Sequence, residues 1–112
     1  MRRETRKLLY DVLDAARFIR EQTDSLSYEQ FRDTRLIRDA VERNFITIGE
    51  ALNRLKRTAS DVAAQIDEHP HVVAFRNIVV HGYDTVDPAV EWKIIRSHLP
   101  ALIAKVERLL GT

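Results

Sequence analysis

Apolar residues recur along this chain at the three- and four-residue steps of an α-helix almost from end to end. Leu8, Val12, Ala15 and Ile19 step by 4, 3 and 4, which predicts an amphipathic helix from Glu4 to about Gln22. Ile37, Val41, Phe45, Ile48, Leu52 and Leu55 step by 4, 4, 3, 4 and 3, and this spacing predicts a helix over 34–57. Trp92, Ile95, Leu99, Leu102, Val106 and Leu109 step by 3, 4, 3, 4 and 3. Their phase carries across Pro100, so the expectation is one helix from 88 to about 110, kinked near the proline.

Polar and special residues punctuate these stripes. Thr23-Asp24-Ser25-Leu26-Ser27 forms a break, and Ser27 with Gln30 fits a capping box in which each side chain satisfies a backbone donor. Residues 28–33 are expected to lead into the next element at an angle. Gly49, inside the longest stripe, costs roughly 1 kcal/mol of helix propensity against Ala and implies close approach of a neighbour. Ser60 is the expected cap of a short helix near 61–68, ended by His69-Pro70, because the residue before proline leaves the α region. Residues 71–80 carry a dense apolar block, Val72-Val73-Ala74-Phe75 and Ile78-Val79-Val80, that fits either a strand or a buried helix. Helix is the expectation, since no other segment offers a strand partner for its backbone. Gly82 suits the C-terminal cap of that element, and Asp87-Pro88 suits the N-cap and first position of the next. Three long helices, one shorter apolar helix and short helical segments describe an all-α antiparallel bundle, expected as a single domain over 1–112.

Composition narrows the picture. With 45% hydrophobic and 31% charged residues the 112-residue chain has a globular balance, and nothing in it approaches the ~18 consecutive apolar residues of a membrane span. The charged opening Met1-Arg2-Arg3-Glu4 leads into mixed polar residues rather than a signal-peptide apolar run, so a cytoplasmic location is expected. The absence of Cys removes disulfides, thiolate ligands and a thiol nucleophile. A net charge of +1 announces no overall basic field, yet 14 of the 18 cations are Arg, whose planar fork grips phosphate with two bonds. A solvated, Arg-rich surface accounts for the same ratio.

Candidate chemistry is sparse until residue 76. His69 and His71 flank Pro70 without a nearby carboxylate at ligand spacing, and His98 falls on the polar side of its stripe, where a solvated imidazole is expected. There is no HExxH, no Gly-rich phosphate loop and no GxSxG hydrolase elbow. Arg76-Asn77-Ile78-Val79-Val80-His81-Gly82-Tyr83 differs from the rest: a cation, an amide, an imidazole and a phenol gather at the end of an apolar element. Such groups need a polar cleft or partners, because an unpaired buried charge is costly. Spacing alone leaves two readings open. In one, Arg76 and His81 do chemistry; in the other, Arg76 pairs with a carboxylate and His81 caps helix carbonyls.

Arg76-x4-His81-x-Tyr83, followed by Val86-Asp87 and Trp92, closely resembles the HepT-like ribonuclease toxins of the HEPN superfamily. Ala40-Val41-Glu42-Arg43-Asn44-Phe45 running into Ile48-Gly49-Glu50-Ala51-Leu52 is similar to that family's second long helix, and Leu99-Pro100-Ala101-Leu102 to its last. The resemblance spans about residues 4 to 110. It implies an all-helical fold, a homodimer, metal-independent RNA cleavage without a cofactor, and a type VII-like toxin–antitoxin pair with an MntA-type minimal nucleotidyltransferase. It further implies that Arg76 and His81 are catalytic, that Asn77 binds phosphate or orients Arg76, and that the antitoxin adenylylates Tyr83. Glu50 fits either a partner of Arg76 or a helix-face carboxylate. A non-catalytic module that binds nucleotide or docks a nucleotidyltransferase is the alternative the same resemblance permits.

Overall fold

The computed structural model describes residues 1–67 and 87–112. Among them are six helices and no strand: α1 (Arg3–Thr23), α2 (Tyr28–Asp33), α3 (Arg35–Thr58), α4 (Ser60–Asp67), α5 (Pro88–Ser97) and α6 (Leu99–Leu110). The expected all-α bundle is what forms. The apolar element expected over 71–80 lies outside the described residues.

Local chemistry explains most boundaries. The capping box before α2 is complete, with the Gln30 N–H donating to Ser27 Oγ at 3.1 Å and the Ser27 N–H donating to Gln30 Oε1 at 2.9 Å. Asp87 caps α5 by accepting from the Ala89 N–H at 2.9 Å, and Pro88 opens the helix where a missing N–H costs nothing. Gly111, at φ 77°, ends α6 in the left-handed region that side chains avoid. At the α3–α4 junction the sequence expectation needs correcting. Ser60 is the first residue of α4 rather than its cap, and the carbonyl of Ala59 accepts from the Ala63 N–H at 2.9 Å.

The stripes bury as their spacing requires. Leu9, Val12, Leu13, Ala16 and Ile19 of α1 face Val41, Phe45, Ile48, Leu52 and Leu55 of α3, each at most 1% exposed. The N-terminal turns of α1 meet the C-terminal turns of α3, so the two helices run antiparallel. α6 completes the layer with Leu99, Leu102, Ile103 and Val106, and an Arg17–Glu107 ion pair at 2.8 Å spans from α1. Removing any of these large side chains leaves a cavity worth roughly 2–5 kcal/mol. Gly49 is buried within α3.

The kink near Pro100 takes the form of a one-residue break at His98, which has φ −114° and ψ −35°. Proline has no N–H to return to the carbonyl of residue 96, and its ring crowds that carbonyl, so the helix opens just upstream. The apolar face survives the break, for Ile95, Leu99 and Leu102 remain 1–4% exposed. His98 itself is half-buried, not solvated as its place on the stripe suggested.

Candidate functional site

Arg76, Asn77, His81 and Tyr83 lie outside the described residues, as do His69 and His71. Their segment joins α4, which ends at Asp67, to α5, which the Asp87 cap begins. The structure describes how firmly the second of these anchors is held. Trp92 of α5 packs against Phe31 of α2 with ring centroids 5.3 Å apart, and against Tyr28 at 6.2 Å. Arg96 lies over the Trp92 ring at 4.2 Å and donates to the carbonyls of Thr23 and Leu26, both at 2.9 Å. Its other nitrogen reaches Asp24 at 3.8 Å. One guanidinium thus ties the end of α1, the α1–α2 loop and α5 together.

One turn before Arg96 the same helix carries the opposite arrangement. Glu91 is 1% exposed, and its carboxyl oxygens meet no N–H or hydroxyl donor among the described residues but lie against the Glu42 carboxyl. Nearby on α3 are Glu42, Asp39 and Arg38, whose buried Nε lacks a partner among the described residues. Burial, and then the like charge of Glu42, push the Glu91 carboxyl up to about 8; Arg38 opposes them only in part. Burial and the charge of Asp39 raise the Glu42 carboxyl as well. Glu91 is therefore neutral at pH 7, and the proton it keeps is donated in a side-chain hydrogen bond to Glu42, which is how the carboxyl tolerates this position.

Glu91 is not among the residues that the sequence singles out. A signal existed: Glu91 stands 3 and 4 residues before the buried Ile94 and Ile95, in phase with the apolar side of α5. Glu50, by contrast, is exposed on α3. Among the described residues, no three His, Asp or Glu side chains gather as a metal site. No described helix is long and apolar enough to cross a membrane.

Comparison with known proteins places this chain among HepT-like ribonucleases. The family described as Ribonuclease HepT-like matches residues 12–109, a span that includes Arg76 to Tyr83 and both anchoring helices. The chain is 32% identical over 108 residues to MJ1380 of Methanocaldococcus jannaschii, a protein named as a candidate RNase, covering 95% of this chain and 96% of that one. It is 28% identical over 109 residues to a Thermococcus cleftensis protein named as a candidate ribonuclease HepT, covering 97% and 98%. No solved structure matches. The chain belongs to the HepT-like ribonuclease family of the HEPN type.

Proposed function

We propose that this protein is the toxin of a toxin–antitoxin pair, an endoribonuclease that cuts RNA without a metal ion. The observation that carries this reading is the family match over 12–109, a span within which Arg76, Asn77, His81 and Tyr83 fall. RNA brings its own nucleophile. The 2′ oxygen attacks the adjacent phosphorus as a base removes its proton, the bond from phosphorus to the 5′ oxygen breaks, and an acid protonates the leaving oxygen. The products are a 2′,3′-cyclic phosphate and a 5′-hydroxyl. Imidazole is suited to either proton transfer near neutral pH, so His81 serves there. Arg76 holds two phosphate oxygens and stabilises the charge that builds on them, while Asn77 binds phosphate or orients Arg76.

One motif supplies one such imidazole, whereas the reaction calls for an acid and a base. A two-fold homodimer that brings two motifs into one cleft provides both. An MntA-type nucleotidyltransferase neutralises the toxin by adenylylating Tyr83, adding negative charge and bulk two residues from His81. The decisive experiment incubates the purified protein with RNA in EDTA and maps the ends. Cleavage that persists in EDTA, leaves cyclic phosphate and disappears in Arg76→Ala and His81→Ala, with the helical signal unchanged, is the expected result. A His81→Ala variant that cuts as fast as the parent overturns the mechanism. Mass measurement of the toxin co-expressed with the nucleotidyltransferase tests Tyr83; neutralisation without added adenylate on its peptide rejects that step.

A further inference from the structure

Where α1 begins and α3 ends, two adjoining surface grooves of about 490 and 600 Å³ share Arg2, Thr5 and Thr58. The first also takes in Arg54 and the Lys7–Asp11 pair; the second runs to the first residues of α4, Ser60, Asp61 and Val62. Arg2 and Arg54 are exposed and make no ion pair with any described residue, and the same holds for Arg3, Lys56 and Arg57 beside them. Two carboxylates lining the grooves, Glu4 and Asp61, oppose this charge; a third, Asp11, is held by Lys7 at 3.1 Å.

Thr5 distinguishes these grooves from a merely basic surface. It is only 4% exposed and lines both, yet its hydroxyl makes no hydrogen bond to any described residue. Thr5 stands in the first turn of α1, where the carbonyl four residues back belongs to Met1 ahead of the helix, so its hydroxyl lacks the return bond that Thr23, Thr47 and Thr58 make further along theirs. Thr5 keeps a donor free where the two grooves adjoin, one lined by Arg2 and Arg54 and the other by Arg2 and the N-terminal turn of α4. Free amide donors, a hydroxyl and forked cations are the set that receives a phosphate.

We infer that these grooves bind the sugar-phosphate backbone of the RNA substrate, as a contact additional to Arg76 and His81. The assignment to RNA rests on the ribonuclease reading. The site makes no base-specific demand, so it raises affinity for any strand long enough to reach it and leaves the chemistry at the scissile phosphate alone.

The test uses a labelled 2′-O-methyl oligoribonucleotide, which lacks the 2′ nucleophile, and follows its binding by anisotropy as salt is varied. The doubly substituted Arg2→Ala, Arg54→Ala protein should bind about tenfold more weakly at low salt. Its log–log salt slope should be shallower by about 1.4, the value for two lost single-strand phosphate contacts. On long RNA the KM should rise while kcat holds, and cleavage of a dinucleotide should not change. Thr5→Val, which removes only the hydroxyl, should weaken binding several-fold with an unchanged or higher melting temperature; a merely structural threonine gives no such split. Unaltered affinity and salt slope in these variants, beside a parent that binds and cuts RNA, overturns the groove assignment alone. A folded parent that neither binds nor cuts RNA overturns the ribonuclease reading and the assignment with it.

Discussion

The two ends of α1 use their charged residues in opposite ways. At its C-terminal end three arginines are committed to local contacts, although Arg20 in the last turn makes no ion pair among the described residues: Arg96 serves two carbonyls and lies over Trp92, Arg32 pairs with Asp33 at 2.8 Å, and Arg35 reaches Asp39 at 3.4 Å. At its N-terminal end Arg2, Arg3, Arg54, Lys56 and Arg57 have no carboxylate among the described residues. Exposed ion pairs contribute at most about 1 kcal/mol each, so leaving cations unpaired costs the fold little. What the unpaired end retains is attraction for an anion. One end thus serves assembly and the other is available for a ligand, although both draw on the same residue type.

The comparison can be broken or sharpened by substitution, and the largest effect should come from the committed end. Phe31 is fully buried and seats Trp92, so Phe31→Ala should lower unfolding stability by about 3–5 kcal/mol in urea denaturation. Glu91, the exception at that end, should give a pH-dependent effect of a few kcal/mol. Its folded carboxyl holds a proton up to about pH 8, while the unfolded chain releases it near 4.5. Parent stability should therefore be full below pH 4.5, decline as pH rises through that window and level off above 8. Glu91→Gln should remove that decline and surpass the parent in alkaline buffer. A parent whose melting temperature is flat from pH 5 to 8 contradicts the assignment.

Smaller still, Arg96→Ala should cost about 2 kcal/mol, because two charge-assisted bonds to carbonyls and the cover over Trp92 disappear together. Lys56→Ala and Arg57→Ala, at the uncommitted end, should stay within about 0.5 kcal/mol of the parent by the same measurement. A large loss there would show that those cations hold the fold after all, and the contrast between the ends would collapse.

What sequence revealed follows the range of the forces involved. The capping box of Ser27 and Gln30, the Asp87-Pro88 start and the helical stripes are settled within one or two turns, and each is legible without a fold. The break at His98 is offset from its cause at Pro100 because proline disturbs the turn before it. Glu91 does not stand out in the sequence, because the charges that act on it, Glu42 and Arg38, lie about fifty residues earlier in the chain. The two bonds of Arg96 span 73 and 70 residues, beyond the reach of any local pattern. For the candidate site the balance is reversed. Arg76, His81 and Tyr83 stand out through the order of their motif, while the described structure contributes the helices on either side.

The long reach of Arg96 has a consequence for biosynthesis. α1 and α3 can zip together once the first 58 residues have left the ribosome, but the guanidinium that joins the carbonyls of Thr23 and Leu26 to α5 lies 70 or more residues downstream. Until that arginine emerges, the corner where α1 meets α2 stays unlatched. A nascent chain arrested before residue 96 should thus expose this corner to proteases while its α1–α3 hairpin is already protected.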